Sequence, residues 1–249
     1  MLILLPPSET KRPGGSGRPL DLAALALAEL APQREQVLSA LEELSTDAEA
    51  SARVLKLGVT QLHEVEHNAR VRTAPAMPAV DRYTGVLYDA LDPASLDASA
   101  RSWLSRHVLI HSAVLGPVGA LDRIPPYRLG AAASLPGIPP LRRLWSDAVS
   151  GALEGSGAPF VLDLRSEAYA ALGPVPDAVA SAYVRVVAEG EGGAVRALNH
   201  FNKHAKGALV RRLAVERPRI RSREGFVRWA DAAGLRVREG APGELELFA

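Results

Sequence analysis

The chain has 249 residues, 47% of them hydrophobic, which is enough apolar material to bury a substantial core. It contains no cysteine, so disulfides, thiolate metal sites and a peroxiredoxin-type thiol mechanism are all excluded. The net charge is only +1, yet residues 196–238 carry 12 Lys and Arg against 3 acids, a local +9 that leaves −8 elsewhere. Such a block reads either as a surface for a phosphate-bearing partner or as an Arg-rich solvated face.

Leu2 to Leu5 is a short apolar run stopped by Pro6-Pro7, the pattern of a strand buried on both faces. Behind it stand Ser8, Glu9, Thr10 and Lys11, at the carboxyl end of a strand, where α/β sheets bind ligands. Residues 12–19 are a Gly-rich loop, but no Gly-Lys-Ser/Thr follows, so a P-loop is rejected. Residues 20–72 read as two helices broken at Leu55-Lys-Leu-Gly-Val-Thr60, with Thr60 as N-cap of the second. The break is a candidate helix-hairpin-helix, in which Lys56 and the amide of Gly58 would meet a phosphate; Glu64 and Glu66 in the second helix would repel a phosphate backbone and favour an ordinary αα-hairpin. His63-Glu-Val-Glu-His67 matches the zinc-protease motif, but Glu66 intrudes and no third ligand follows, so no metal is assigned. Ser8-x-x-Lys11 lacks the companion motifs of a β-lactamase and is set aside.

After a Pro-rich linker over 73–82, Tyr83-Thr84-Gly85 opens a helix through Leu91 and offers two hydroxyls beside an unencumbered backbone. Val108 to Val114 is a second buried strand, ending at Gly116-Pro117. The Pro-stiffened loop 122–129 cannot be regular and presents Tyr127 and Arg128, as an anion holder or as an Arg128–Asp122 staple. A helix over 141–153 carries Trp145 into the core, and Phe160 to Leu164 is a third strand followed by Ser166, Glu167 and Tyr169. Strands at 183–188 and 194–199 form a hairpin. A helix then starts at His200, with Phe201, Ala205, Ala208, Leu209 and Leu213 inward and Lys203, Gly207, Arg211 and His204 outward. Its Lys206 belongs with Lys203 as a phosphate ligand, and Gly207 marks a close approach to the backbone. Arg212, Arg217, Arg219, Arg221 and Arg223 continue the basic run, and 235–238 with 244–248 closes as a second hairpin.

Five blocks stand in order along the chain: the opening Leu2–Lys11, Tyr83-Thr-Gly85, Pro126-Tyr-Arg-Leu129, Asp163-Leu-Arg-Ser-Glu-Ala-Tyr169 and Lys203-His-Ala-Lys-Gly207. Together they resemble the YaaA peroxide-stress protein family, whose opening lysine is here displaced to Lys11. The resemblance implies a cytoplasmic oxidative-stress protein that binds duplex DNA through a basic surface; the turn at Lys56 and Gly58 and the Arg-rich segment outside the five blocks, with Arg211, Arg212, Arg217, Arg219, Arg221 and Arg223, are the candidate contacts. The polar blocks themselves favour a cleft for a phosphorylated or nucleotide-like small molecule, lined by Ser8, Glu9, Lys11, Tyr83, Thr84, Gly85, Tyr127, Arg128, Ser166, Glu167, Tyr169, Lys203, Lys206 and Gly207. The expected fold is one α/β domain over 1–249, a mixed sheet with flanking helices, a helical insertion at about 30–75 and late β-hairpins. A monomer is expected, without cofactor and without membrane contact.

Overall fold

The computed structural model of the protein describes residues 1–189, 195–197 and 199–248. Strand β1 (Leu2–Leu5) is followed by short 3-10 turns at Leu22–Ala24 and Ala28–Leu30, then by α1 (Ala31–Leu44), α2 (Ala48–Leu55) and α3 (His63–Ala69). The chain pattern predicts two uninterrupted helices over 20–72; aspartates make the difference. Asp21 and Asp47 accept the amides of Ala23 and Ala50, which starts a fresh turn at each. Thr60 caps nothing, because it lies inside a 3-10 turn over Val59–Gln61 that precedes α3.

Next come β2 (Met77–Pro78), α4 (Ala79–Arg82), α5 (Val86–Leu91), α6 (Ala98–His107), β3 (Val108–Ser112), β4 (Gly116–Gly119) and β5 (Arg123–Ile124). The Pro-rich segments at 73–82 and 122–129 are thus not wholly irregular: β2 and β5 pair antiparallel over two residues. The remainder is α7 (Leu141–Gly155), β6 (Val161–Asp163), α8 (Glu167–Ala170), β7 (Ser181–Glu189), β8 (Val195–Ala197), α9 (Asn199–Glu216), α10 (Arg223–Ala232), β9 (Val237–Glu239) and β10 (Glu244–Phe248). The turn expected between β7 and β8, and the side chains of His200 and Phe201, lie outside the described residues.

One mixed sheet runs in the order β4-β3-β1-β6-β7-β10-β9, with β8 also paired to β7. β1 lies parallel to both β3 and β6, and its three innermost residues are fully buried, as a two-faced apolar run requires. β7 continues the parallel set from β6 to β10, and the antiparallel pairs lie at β3–β4, β7–β8 and β9–β10. β4 contains Pro117 and is an edge strand, where a proline costs no ladder bond if its nitrogen faces outward. Helices flank the sheet, giving the α/β class read from the sequence. Trp145 of α7 is wholly buried and donates its indole N–H to Ala113 O at 3.1 Å. No helix is long and apolar enough to cross a membrane among the described residues.

Candidate ligand site at the carboxyl edge of the sheet

The loop that leaves β1 is tied down by a distant segment. Lys11 and Tyr83 form an antiparallel bridge, and Thr84 N donates to Thr10 O at 3.2 Å. This lays Ser8–Lys11 beside Tyr83–Gly85, although more than 70 residues separate them. Three hydroxyls gather where they meet: Thr84 Oγ1 donates to Thr10 Oγ1 at 3.0 Å, and Ser8 Oγ stands 3.2 Å from Thr10 Oγ1. Gly85, at φ +93°, occupies a conformation that L side chains rarely adopt, and it keeps this corner open. The helix expected from Tyr83 begins only at Val86.

Lys11 turns inward instead of into solvent. Its Nζ donates to Ser8 O at 3.0 Å and Glu9 O at 3.3 Å and lies 4.1 Å from the centre of the Tyr127 ring. Tyr83 and Tyr127 are buried with their hydroxyls 2.7 Å apart, and burial raises both well above the usual phenol range. Among the described residues no carboxylate stands within ion-pair distance of Lys11. Desolvation therefore pushes the ammonium down to about 7, with Glu64 of α3 the largest opposing influence.

Arg128 closes one side through Glu9, at 2.9 Å, and not through Asp122. Asp122 instead accepts the amides of Ala26 and Gly119, both at 2.7 Å. Asn68 of α3 is wholly buried and clamps the backbone of Arg128, accepting its N–H at 2.7 Å and donating to its carbonyl at 3.0 Å. Tyr169 is raised by its burial first, then by Tyr127 and Glu9, which places it beside the same cluster. Ser8, Glu9, Lys11, Tyr83, Thr84, Gly85, Tyr127, Arg128 and Tyr169 are thus brought together. Ser166 and Glu167 are exposed: Ser166 stands at the N-cap of α8 without a side-chain cap bond, and Glu167 pairs with Arg185 at 2.9 Å.

A second polar centre lies beyond Tyr169, and residue types alone do not single it out. Arg165, fully buried, holds Asp163 through Nε and Nη2 at 2.9 and 2.6 Å and reaches Gly173 O and His111 Nδ1 through Nη1 at 2.9 and 2.8 Å. With Nδ1 accepting from a guanidinium, His111 carries its proton on Nε2, which is buried without a partner. Burial, then Arg165, hold this imidazole well below its usual range. Lys206, 4% exposed, donates to Arg165 O at 3.4 Å. Lys203 is exposed, and no hydrogen bond or ion pair among the described residues joins it to Lys11.

Gly207 is not on an open basic arc. It is buried, and an added Cβ would collide with Leu87 O of α5, so its close approach is helix to helix. Ala208, expected inward, is exposed.

The segments assigned to nucleic acid behave differently from one another. At the α2–α3 turn, Lys56 N and Leu57 N donate to Ala52 O, and Gly58 N donates to Gln61 Oε1 at 3.1 Å. Those three amides are consumed internally and are not presented to a phosphate. Arg211 caps α5 on the carbonyls of Leu91 and Asp92, Arg212 pairs with Glu216, and Arg223 pairs with Glu239. Arg217, Arg219 and Arg221 are exposed. His63 Nδ1 faces Thr60 O and His67 Nδ1 faces Glu64, each at 3.1 Å. Among the described residues no group of three His, Cys, Asp or Glu is placed to hold a metal ion.

A family model described as peroxide stress protein YaaA matches residues 1–240. A UPF0246 protein of Corynebacterium glutamicum is 42% identical over 243 residues, 96% of this chain and 95% of the relative. One of Streptomyces coelicolor is 45% identical over 217 residues, 86% of this chain and 82% of the relative. An uncharacterized protein of Campylobacter jejuni is 29% identical over 171 residues, 68% and 69% of the two chains.

Proposed function

The chain belongs to the peroxide stress protein YaaA family, and from that premise we propose a cytoplasmic stress-response protein that works by binding a small anionic ligand, phosphorylated or nucleotide-like, around Lys11. The observation that carries this reading is a lysine held against an aromatic ring with only carbonyl oxygens for partners. A lysine whose sole task was to tie its own loop would do so at the surface, without the desolvation. Here an anionic ligand would supply the missing counter-charge, Arg128 would add a second cation on exchanging Glu9, and the hydroxyls of Ser8, Thr10 and Thr84 would orient the bound group. A lysine that titrates near neutrality also suits proton transfer on such a ligand, the form an enzyme reading would take.

Calorimetric titration with inorganic phosphate and with a nucleoside monophosphate tests the site. Lys11→Met and Arg128→Ala should each weaken binding about tenfold or more, the loss expected for one charge-assisted contact. Unchanged affinity in both variants would overturn the reading.

Sequence-indifferent binding of duplex DNA is supported by the exposed Arg217, Arg219 and Arg221. Replacing all three by alanine should lower the log–log salt slope by about 1 for each phosphate that the protein no longer neutralises. An unchanged slope would mean that this segment does not bind DNA.

A further inference from the structure

Where this fold uses a buried arginine as a structural cation, it fixes the guanidinium. Arg82 is held there by the carbonyls of Arg12, Gly14, Pro75 and Ile124, and Arg34 by those of Ala26, Leu115 and Pro117. Arg128 is fixed at its other end. The wholly buried Asn68 accepts the Arg128 N–H and donates to the Arg128 carbonyl, the two-bond exchange that one strand makes with an antiparallel neighbour. Among the described residues, no other hydrogen bond reaches the main chain of residues 125–129, a stretch with two prolines and no regular structure. The clamp therefore falls on the residue that carries the cation and not on the loop at large.

The guanidinium itself keeps to one residue. Among the described residues its hydrogen bonds go to Glu9 alone, from Nη2 to the carboxylate at 2.9 Å and from Nη1 to the carbonyl at 3.4 Å, which leaves donors of the fork unused. The pair is lopsided: the Arg128 side chain is 13% exposed and that of Glu9 76%. The cation is seated in the protein while the carboxylate stands in water, and pairs with one partner so exposed are weak. A carboxylate on a seated guanidinium occupies the place where a phosphate oxygen would be received.

We propose that Asn68 is a positioning residue that seats Arg128 for an incoming phosphate group, and that Glu9 is a built-in competitor which the phosphate displaces. Asn68 touches no ligand. It acts by taking the ordering of the Arg128 main chain out of the binding step, so that little more than a weak exposed pair is lost when the ligand arrives. Glu9 sets a threshold, because an anion binds only if it holds Arg128 better than a tethered carboxylate does. The inference rests on the anion-binding reading of the Lys11 site and adds to it how that site is held and regulated.

Calorimetric titration with inorganic phosphate compares the full chain with Asn68→Ala, with Glu9→Gln, and with the same two changes made in Arg128→Ala. Asn68→Ala should weaken binding about fivefold, because the freed arginine must then be ordered by the ligand. Glu9→Gln should tighten it about two- to fivefold, because the competitor is gone. In the Arg128→Ala background both effects, opposite in sign, should vanish, which a general loss of stability would not bring about. Asn68→Ser, whose hydroxyl replaces at most one of the two bonds, takes the place of Asn68→Ala if that chain does not fold. Phosphate affinity unchanged in Lys11→Met as well as in Arg128→Ala means that the anion-binding reading fails, and this inference with it. Where Lys11→Met still weakens binding, that reading holds. This inference alone is then overturned by a Glu9→Gln that does not tighten, by an Asn68 variant that does not weaken, or by effects of either that persist without Arg128.

Discussion

Lys11 is charged at a penalty that depends on pH. Its folded value is pushed down to about 7 while the unfolded chain keeps the ordinary 10.5, so between those limits the unfolded state binds more protons. Stability contributed by this residue therefore rises with pH across that window and is lowest below it. Lys11→Met removes the titration, so the variant should be more stable than the parent at about pH 6, and its advantage should shrink by up to about 1.4 kcal/mol per pH unit through the window. Urea midpoints of both proteins at several pH values check this; parallel curves would mean that Lys11 is solvated. The same residue shows what a sequence conveys about a site. Hydroxyls and a lysine behind Pro6-Pro7 are readable as a ligand loop, because the strand end places them. The inward turn of Lys11 is not, since its ring partner, Tyr127, lies more than a hundred residues on. Asn68 is equally hidden: a lone asparagine in a charged helix announces nothing until Arg128 lies across it.

Among the elements, α9 packs directly against α5, and Gly207 permits the approach. Glycine to alanine inside a helix ordinarily gains about 1 kcal/mol from propensity. At position 207 the new methyl would meet the Leu87 carbonyl oxygen and, at 2.9 Å, Ala90 Cβ, both parts of a packed helix that cannot simply rotate aside. Overpacking should win, so Gly207→Ala is expected to destabilise by about 1–3 kcal/mol net of the propensity gain. Thermal unfolding measures it, and a stabilised variant would show that the helices separate without penalty. The elements that the sequence hides share a cause. β4 and β5 contain or adjoin prolines, which argue against strands unless the strand is an edge or a two-residue bridge, and the sequence does not say which strand is outermost. The division of residues 20–72 is readable in Asp21 and Asp47, whose capping competes with the continuous alanine-leucine pattern.

At the scale of the molecule, the alternation of apolar runs and helices conveys the α/β class and the parallel central strands, whereas the sheet order depends on pairings that no local pattern encodes. That order has a consequence in time. β1 is synthesised well before its two neighbours, which begin at Val108 and Val161. At synthesis rates of roughly 5–20 residues per second, a strand with no polar face waits on the order of ten seconds before its second side is covered. Nascent chains arrested just before β6 should remain open to protease throughout, and chains arrested beyond β7 should resist it around β1. Resistance in the shorter chains would mean that β1 finds shelter without β6. During that wait the Leu2–Leu5 segment is a template for any other unpaired edge, which makes the interval of translation the time at which this protein most depends on holding chaperones.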